Sequence, residues 1–394
     1  MSQAKSAQPM SRVLVTGAAG MLGFHLRCRL HVLAGVEVRF ADRDEFADPN
    51  TLDALVSEVD AVVHLAGINR GSDLEVEEGN LAIAQTLVDA LKRSGGQPQV
   101  IYSSSTHFTR DTPYGRSKKR AGEILRAHCG GQLTELVLPH VFGEYGRPHY
   151  NSVVHTFCDQ LAKGEALTVD QPDGQLELRH AGSVCEAVLH LLKLDAQASL
   201  GEHAWQDGRL RLFGTPITVG ELAECMQAQA QQYFEARELP VVQNELELAL
   251  FNALRGAAFP HKYPVDLQLH VDPRGSLFEA VRSRRSGQTF FSTTKPGITR
   301  GNHFHFNKVE RFLVVGGSAE IRVRRLFDDQ VHLFRVSGDK PAYVDMPTLH
   351  THEITNVGEV ELLTLFWAHE FFDPEAPDTF AELVQTEAST PVNS

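Results

Sequence analysis

The sequence predicts two domains of different class, an α/β domain with a doubly wound parallel sheet and then an all-β sandwich or jelly roll. Apolar β runs alternate with helical stretches from Arg12 onward, which is typical of a parallel sheet with crossover helices. Helical patterns almost vanish after the segment 251–264, FNALRGAAFPHKYP. The runs that follow are short, β-rich and separated by Gly, Pro and Asp, as in antiparallel sandwiches.

The composition is that of an ordinary globular protein. The 394 residues are 42% hydrophobic and 22% charged, which is enough for two domains with sizeable cores. A net charge of −13 without a basic tract argues against nucleic-acid binding. No apolar run approaches the ~18 residues of a membrane span. The five cysteines are scattered, so we expect free thiols and a cytoplasmic location.

We place the domain boundaries from these changes of pattern. Residues 1–11 and 385–394 are polar and are predicted to be disordered tails, the first without the apolar region of a signal peptide. Residues 12–255 form the α/β domain and residues 256–384 the all-β domain. The helical stretch ITVGELAECMQAQAQQYFEA is expected to close the α/β domain.

The first strand, turn and helix carry a dinucleotide-binding pattern. In TGAAGMLG, Gly17, Gly20 and Gly23 follow the strand RVLVTG and lead into a helix. Small residues there let the backbone approach a pyrophosphate, which the helix N-terminus attracts. The second strand, VEVRF, ends at Asp42 and Arg43. Asp42 favours NAD(H) through the adenosine ribose, whereas Arg43 favours NADP(H) through a 2′-phosphate, so both cofactors stay open.

Catalytic chemistry is indicated in SSSTHFTRDTPYGRSK. Tyr114 and Lys118 are four residues apart on a predicted helix and so face the same side. Lys118 would lower the pKa of the Tyr114 phenol and hold the nicotinamide ribose, and Tyr114 would exchange a proton with a carbonyl or alcohol. A serine at the end of the preceding strand would hydrogen-bond the same oxygen.

These motifs resemble the extended short-chain dehydrogenase/reductase superfamily, whose members often act on nucleotide sugars. The resemblance implies a Rossmann-type fold and a cofactor site that includes Leu65, Ala66 and Gly67 of DAVVHLAG. It also implies that Ser105 contacts the substrate oxygen, with Ser104 as the alternative.

Two further positions can be compared with the pattern of the same superfamily. Asn80 resembles an asparagine that shapes the active-site helix. His140 stands where that superfamily usually has asparagine.

A second site is predicted in the all-β domain, in NHFHFNKVE. His303 and His305 lie two apart on a strand and share a face, and Glu310 needs a turn or an adjoining strand to reach them. His352, in PTLHTHEITN, supplies a third imidazole. Three imidazoles and one carboxylate suit Zn²⁺ or another divalent first-row metal.

The spacing of these residues resembles the two cupin motifs. Leu349 replaces the glycine that is usual in the second motif, and His350 competes with His352 as the ligand. The segment VDPRGSLFEAVR resembles the start of cupin sugar 3- or 3,5-epimerases. A cupin epimerase beside a reductase suggests connected reactions, in which inversion next to a ketone is followed by reduction of that ketone.

The order of both halves, with the segments TKPGITRGNHFH and FFDPEAPDTF, is similar to the CapF family of bifunctional capsular polysaccharide assembling proteins. The resemblance implies C3 epimerisation of a UDP-2-acetamido-2,6-dideoxy-4-keto-hexose by the cupin and NADPH-dependent C4 reduction, on the route to UDP-N-acetyl-L-fucosamine. It also implies a homodimer with zinc in the cupin. NADH stays possible because of Asp42. The rivals are a reductase with a structural or dimerising cupin and a non-enzymatic sensor of NAD(P)H or nucleotide sugars.

Overall fold

The computed structural model describes residues 11–284 and 287–385 and the backbone of residues 390–393. They form two compact units: the first runs to Val153 and adds Asp173–Val219, and the second holds Val154–Pro172 and the chain from Gly220. This division differs from the predicted boundary after residue 255, which stays a proposal. Of the two predicted tails, residues 1–10, 386–389 and 394 lie outside the described residues.

The helices are numbered in chain order: α1 (Met21–His31), α2 (Arg43–Ala47), α3 (Pro49–Val56), α4 (Asp73–Ser94), α5 (Pro113–Cys129), α6 (Val153–Lys163), α7 (Ala181–Leu191), α8 (Val219–Ala230) and α9 (Glu245–Ala258). The strands of the first unit are β1 (Ser11–Thr16), β2 (Val36–Ala41), β3 (Ala61–His64), β4 (Gln99–Ser105), β5 (Leu133–Leu138), β6 (His140–Phe142), β7 (Gln175–His180), β8 (His203–Gln206), β9 (Arg209–Leu212) and β10 (Thr215–Thr218). Among the described residues, no helix combines the length and apolar character that crossing a membrane requires.

The strands of the second unit are β11 (Val265–Asp266), β12 (His270–Asp272), β13 (Gly275–Leu277), β14 (Gln288–Thr294), β15 (Thr299–Phe304), β16 (Glu310–Gly316), β17 (Ser318–Arg325), β18 (Gln330–Ser337), β19 (Ala342–Met346), β20 (His350–Asn356), β21 (Leu362–Ala368), β22 (Phe380–Ala381) and β23 (Thr390–Asn393). The last of these falls within the stretch that the sequence predicts to be a disordered tail. Its backbone pairs in parallel with β18, and the tail boundary stays a prediction.

The first unit is built on one large sheet with the order β2-β1-β3-β4-β5-β9-β8, parallel except for the edge strand β8. Alternate residues of β1 pack on opposite faces. Val13 and Val15 join a core with Leu26 of α1, whereas Leu14 joins a separate core with Leu87 of α4. Helices therefore cover both faces, and the predicted doubly wound parallel sheet is confirmed. A small second sheet has the order β10-β7-β6.

The second unit holds two larger sheets, ordered β11-β19-β16-β21-β14 and β22-β15-β20-β17-β18-β23, and the hairpin β12-β13. Except for the pair β18–β23, their strand pairs are antiparallel. Phe312 of one sheet and Ile321 and Ile354 of the other lie in a single apolar core. This arrangement confirms the predicted all-β cupin domain.

The helical stretch that we expected to close the α/β domain, which forms α8, lies in the second unit, as does α9. Phe251 of α9 and Tyr233, which follows α8, belong to the same core as the sheets. The Tyr233 hydroxyl also donates to Asp345, whose carboxylate pairs with Arg311 at 2.7 and 2.9 Å, and both charged groups are buried. Helical periodicity marks which face of a helix is buried but not which sheet buries it.

Candidate active sites

The glycine-rich turn after β1 packs directly against the end of β3. Gly17 has φ +72°, and a Cβ there would lie 2.7 Å from the backbone nitrogen of Ala66. A Cβ at Gly23 would lie 2.3 Å from the carbonyl oxygen of Gly17. The Leu65 N–H donates to the Thr16 carbonyl at 3.1 Å. Only glycine allows these close approaches, so the turn and the segment 65–67 form one surface at the N-terminus of α1.

The predicted cofactor-discriminating residues lie beside this turn. Gly20 is the N-cap of α1. Asp42, directly after β2, accepts a 3.3 Å hydrogen bond from the Ala19 N–H within the turn. Arg43 begins α2 and is exposed. The helix N-terminus suits a pyrophosphate, and Asp42 contacts the turn near which the adenosine ribose is expected.

A buried pair that the sequence interpretation missed supports the same surface. The Thr16 hydroxyl lies 2.8 Å from His64 Nδ1 and accepts the Ala66 N–H at 3.2 Å. Burial lowers the pKa of His64 to about 3, so the ring is neutral and Nδ1 can accept the Thr16 proton. The signal in the sequence is a threonine at the end of β1 and a histidine at the end of β3, its neighbour in the sheet.

The Tyr114–Lys118 pair lies at the start of α5, where Pro113 is the first helical residue and the Thr112 hydroxyl accepts the Gly115 N–H at 3.1 Å. The Lys118 Nζ donates to the Ser103 carbonyl at 2.9 Å and lies 5.8 Å from the centroid of the Tyr114 ring. The cap and the proline begin the helix at this point, so both side chains project from its first turns toward the end of β4.

Lys118 also borders the predicted cofactor segment. A Cβ added to Gly67 would lie 3.3 Å from its Nζ. The structure therefore brings the tyrosine–lysine pair and the glycine turn together through the segment 65–67.

Burial shifts the pKa of both members of this pair. Burial raises the pKa of Tyr114, and a hydrogen bond with Ser105 acts against that rise. Burial lowers the pKa of Lys118 to about 8, with Glu135 opposing the change. The Lys118 ammonium group donates to the Ser103 carbonyl, and the effect of Lys118 on the Tyr114 pKa stays a prediction. A phenol with a raised pKa keeps its proton at neutral pH, which suits a proton donor.

The three serines at the end of β4 have different surroundings. Ser105 hydrogen-bonds Tyr114 and accepts the His107 N–H at 3.3 Å. Ser104 is buried, and its hydroxyl has no hydrogen-bond partner among the described residues. The Ser103 hydroxyl donates to the His64 carbonyl at 3.2 Å. The geometry favours Ser105 over Ser104 as the residue beside the reacting oxygen.

Asn80 of α4 fastens the segment after Gly67 to the helices. Its amide accepts the Ile68 N–H at 2.9 Å and donates to the Ile68 carbonyl at 2.6 Å and to the Ser117 hydroxyl at 3.1 Å. This buried network holds the cofactor segment and α5 in one register, as the sequence resemblance implies. His140, in the position where asparagine is usual, lies 3.1 Å from the Ser152 hydroxyl.

In the second unit, the ends of β15, β16 and β20 bring together the residues that were predicted to bind a metal. One ligand atom from each of His303, His305, Glu310 and His352 lies within 4.8 Å of the others. Glu310 Oε2 is 3.1 Å from His305 Nε2, 3.3 Å from His352 Nε2 and 3.9 Å from His303 Nε2. His305 and His352 are buried, whereas the side chain of His303 is 24% exposed, so the cluster opens to solvent on the His303 side.

Backbone hydrogen bonds orient two of the imidazoles. His305 Nδ1 lies 2.6 Å from the Asp378 carbonyl oxygen, and His352 Nδ1 lies 3.2 Å from the His350 carbonyl oxygen. A carbonyl only accepts, so both Nδ1 atoms carry the proton and both Nε2 lone pairs point at Glu310. The buried Nε2 of His352 has no hydrogen-bond partner among the described residues. An orphaned imidazole nitrogen facing a carboxylate fits a divalent cation in this cluster.

Glu310 is held as a carboxylate. Burial alone would raise its pKa, but the surrounding imidazoles of His303, His305 and His352 outweigh burial and place the pKa well below its usual value. Burial lowers the pKa of His352 to about 4, so that ring is neutral. A charged carboxylate among neutral imidazoles is the protonation state that metal binding requires.

The competing histidine lies elsewhere. His350 Nδ1 lies 3.1 Å from the Thr348 carbonyl, and its ring contacts Phe259 with 5.2 Å between centroids. The preceding Leu349, which replaces the usual cupin glycine, has φ +59°. A positive φ explains why glycine is common there, and the chain adopts the conformation with a leucine that is fully buried.

A second cluster of possible ligands, in the first unit, does not suit a metal. The buried Glu144 lies between His25 of α1 and His180, the N-cap of α7. His180 Nδ1 accepts the Gly182 N–H at 3.2 Å, so Nε2 carries the proton that it donates to Glu144 at 2.9 Å. His25 Nε2 lies 3.1 Å from the Glu144 carbonyl oxygen and also carries a proton. This cluster instead links α1 to α7.

Comparisons with known proteins follow the same two units. The family model of the NAD dependent epimerase/dehydratase family matches residues 13–203, and that of the Polysaccharide biosynthesis C-terminal domain matches residues 270–380. A UDP-2-acetamido-2,6-beta-L-arabino-hexul-4-ose reductase of Pseudomonas aeruginosa is 33% identical over 380 residues, which are 94% of this chain and 98% of that protein.

Solved structures show the same extent of similarity. The crystal structure of the capsular polysaccharide assembling protein CapF from Staphylococcus aureus is 30% identical, covers 95% of this chain and 100% of that one, and has a TM-score of 0.60. A CapF structure with the inhibitor 3-isopropenyl-tropolone is 29% identical, with the same coverage and a TM-score of 0.55. The similarity therefore spans both units and not a single domain.

Proposed function

The chain belongs to the CapF family of capsular polysaccharide assembling proteins, and from this premise we propose that it is a bifunctional enzyme of surface polysaccharide precursor synthesis. It is an NAD(P)H-dependent oxidoreductase by its family. In the proposal, the cupin epimerises carbon 3 of a UDP-2-acetamido-2,6-dideoxy-4-keto-hexose. The reductase domain then reduces the ketone at carbon 4 with NADPH, on the route to UDP-N-acetyl-L-fucosamine.

One observation carries this proposal: a single chain holds both a tyrosine–lysine–serine site beside a dinucleotide turn and a cluster of three histidines and one glutamate. The first suits reduction of a ketone, and the second suits chemistry on the carbon next to it. The name of the Pseudomonas aeruginosa relative, a reductase of a UDP-linked hexul-4-ose, supports the class of substrate.

In the reductase site, the roles follow from the hydrogen bonds. Bound NADPH supplies the hydride that reduces carbon 4. Tyr114, whose pKa is raised, donates its proton to the carbonyl oxygen. Ser105 hydrogen-bonds the same oxygen from the side of Tyr114. Lys118, near the segment that ends at Gly67, binds the nicotinamide ribose and compensates the charge left on the tyrosine.

In the cupin, the proposed chemistry depends on the acidity of a proton next to a ketone. Removing that proton and returning it to the opposite face inverts carbon 3. His303, His305, Glu310 and His352 would hold a Zn²⁺ or another divalent first-row ion, which polarises the ketone oxygen when bound. The partly exposed His303 places the open side of the cluster toward solvent, from which a substrate would enter.

The test is incubation of the protein with the 4-keto UDP-sugar in deuterated water, first without NADPH and then with it. We expect deuterium at carbon 3 without cofactor, followed by oxidation of NADPH and reduction of carbon 4 when cofactor is added. Mass spectrometry and the absorbance of NADPH report the two steps separately.

The alternative functions give other results in this experiment. Oxidation of NADPH without incorporation at carbon 3 would indicate a reductase with a structural or dimerising cupin, which the name of the Pseudomonas aeruginosa relative favours as a second candidate. Binding of NADPH with neither reaction would contradict both enzymatic functions and indicate a sensor.

The choice between NADPH and NADH is tested at the end of β2. We expect Asp42→Ala to raise the affinity for NADPH relative to NADH about tenfold, because the carboxylate near the glycine turn repels a 2′-phosphate. We expect Arg43→Ala to have the opposite effect. Fluorescence titration with each cofactor measures the ratio. Asp44→Ala, an exposed acid in the same helix, is the matched control. An unchanged ratio in both variants would contradict this assignment.

A homodimer and a cytoplasmic location complete the proposal, as the sequence resemblance and the scattered thiols imply. Light scattering of the purified protein measures the first. A monomer at micromolar concentration would contradict it.

A further inference from the structure

The segment FFDPEAPDTF, residues 371–380, is part of the family resemblance but has no role in either proposed reaction. It follows β21 and runs into the short strand β22. We infer that Asp378 is a positioning residue that orients the metal ligand His305 and the turn leading to Glu310. The inference rests on the metal site proposed above.

Asp378 contacts the metal cluster through its backbone. Its carbonyl oxygen accepts the proton of His305 Nδ1 at 2.6 Å. That bond determines which nitrogen of the ring carries the proton and fixes the ring plane, so that Nε2 faces Glu310 at 3.1 Å. Bonds of this kind raise the basicity of a ligating imidazole and remove the cost of orienting it when a metal binds.

The carboxylate of the same residue holds the turn between two ligands. It accepts the backbone N–H of Phe306 at 2.9 Å and those of Asn307 and Lys308 at 2.8 Å each. This turn joins β15 to β16 and so sets the distance between His305 and Glu310. One residue therefore fixes the orientation of a ligand and the spacing between ligands.

Neighbouring contacts keep Asp378 in place. Its φ is +43°, a conformation that aspartate adopts more readily than most residues. The Lys308 ammonium donates to the Pro377 carbonyl at 2.6 Å. β22 then pairs Ala381 with His303, which is another of the ligands. The segment 377–384, which we name the C-terminal strap, thus borders the cluster on the β15 side.

A buried arginine binds the C-terminal end of the strap. Arg324 is 3% exposed and donates to the carbonyls of Leu383 and Val384 at 2.7 and 2.8 Å. The Val384 N–H donates to the side-chain oxygen of Asn302 at 3.0 Å. These contacts do not touch the ligands, so loss of the Asp378 carboxylate would leave the strap attached while releasing the turn between His305 and Glu310.

The test compares Asp378→Gly and Asp378→Asn with the unaltered full-length protein. Glycine removes the carboxylate without penalising the positive φ, and asparagine keeps the shape with one acceptor fewer. We expect Zn²⁺ affinity, measured by competition with a chromogenic chelator, to fall about 10–100-fold in Asp378→Gly and less in Asp378→Asn. Asp373→Asn is the matched control because Asp373 is exposed and its carboxylate accepts the Glu375 N–H at 2.9 Å.

A second readout separates positioning from stability. At saturating Co²⁺, we expect the visible absorption bands of Asp378→Gly to differ from those of the unaltered protein, since the released turn changes the spacing of His305 and Glu310 and so the ligand field. Thermal unfolding of the metal-free proteins shows whether the variants fold. If the glycine variant does not fold, the Zn²⁺ affinity and the Co²⁺ spectrum of the asparagine variant test the inference.

Affinity within twofold of the unaltered protein and an identical Co²⁺ spectrum would overturn the inference and leave the metal site standing. Failure of the unaltered protein to bind either ion would overturn the metal site and the inference with it.

Discussion

Tyr114→Phe is expected to lower the rate of ketone reduction by about 10²–10⁴-fold, the usual contribution of a positioned proton donor. Phenylalanine fills the same space, so the affinity for NADPH should change little. The variant removes only the hydroxyl that hydrogen-bonds Ser105 and whose pKa burial keeps high. Stopped-flow measurement of NADPH oxidation with the 4-keto sugar separates the chemical step from cofactor binding. Reduction at an undiminished rate would show that another group supplies the proton.

The adjacent serines provide a matched control for this result. Ser105→Ala should slow reduction because the Ser105 hydroxyl hydrogen-bonds Tyr114, the proposed proton donor. Ser104→Ala should leave the rate near that of the unaltered protein, because its buried hydroxyl has no hydrogen-bond partner among the described residues. The reverse order would identify Ser104 as the serine beside the substrate oxygen.

His352→Ala is expected to abolish stoichiometric metal binding and, with it, incorporation of deuterium at carbon 3. The cluster loses a buried ligand whose Nε2 faces Glu310 at 3.3 Å. Reduction of an epimerised ketone by the first unit should continue, because the Tyr114 site lies in that unit. Metal content after dialysis, measured by atomic emission, and mass spectrometry of the sugar are the two measurements.

His303→Ala and His350→Gln complete the experiment. His303 is partly exposed, so its replacement tests the metal site without opening a cavity in the core. His350 contacts Phe259 and the Thr348 carbonyl rather than Glu310, so His350→Gln should keep the metal. If His303→Ala and His352→Ala both retained one metal per chain, the ion would be bound elsewhere. Exchange at carbon 3 in a metal-depleted but folded protein would show that the metal stabilises the fold and takes no part in the epimerisation.

Much of both sites follows from local sequence patterns. A helix places residues four apart on one side, so the spacing of Tyr114 and Lys118 is enough to predict that they lie close together. A strand places residues two apart on one face, which brings His303 and His305 together. The role of Gly17 is predictable in the same way, because a turn that packs on another backbone has no room for a side chain.

The remaining features depend on contacts between distant segments. Asp378 acts through its own carbonyl and through three backbone N–H groups, so its role depends on where the chain returns after β21 and not on a local pattern. The pKa of Tyr114 depends on burial that no spacing reveals. The apolar faces of α8 and α9 predict that they are buried, but only the folded chain shows that Phe251 of α9 packs with the β-sheets.

The C-terminal strap also has a consequence for the order of events during synthesis. Ribosomes make proteins from the amino end, so all four histidine and glutamate ligands leave the ribosome before Asp378 does. Until then the ring of His305 lacks the carbonyl that selects its tautomer, and the turn after Phe306 lacks its carboxylate cap. In a nascent chain, therefore, all the metal-binding atoms are present before their relative positions are fixed. Discrimination between metals that relies on this arrangement begins only once the strap has docked.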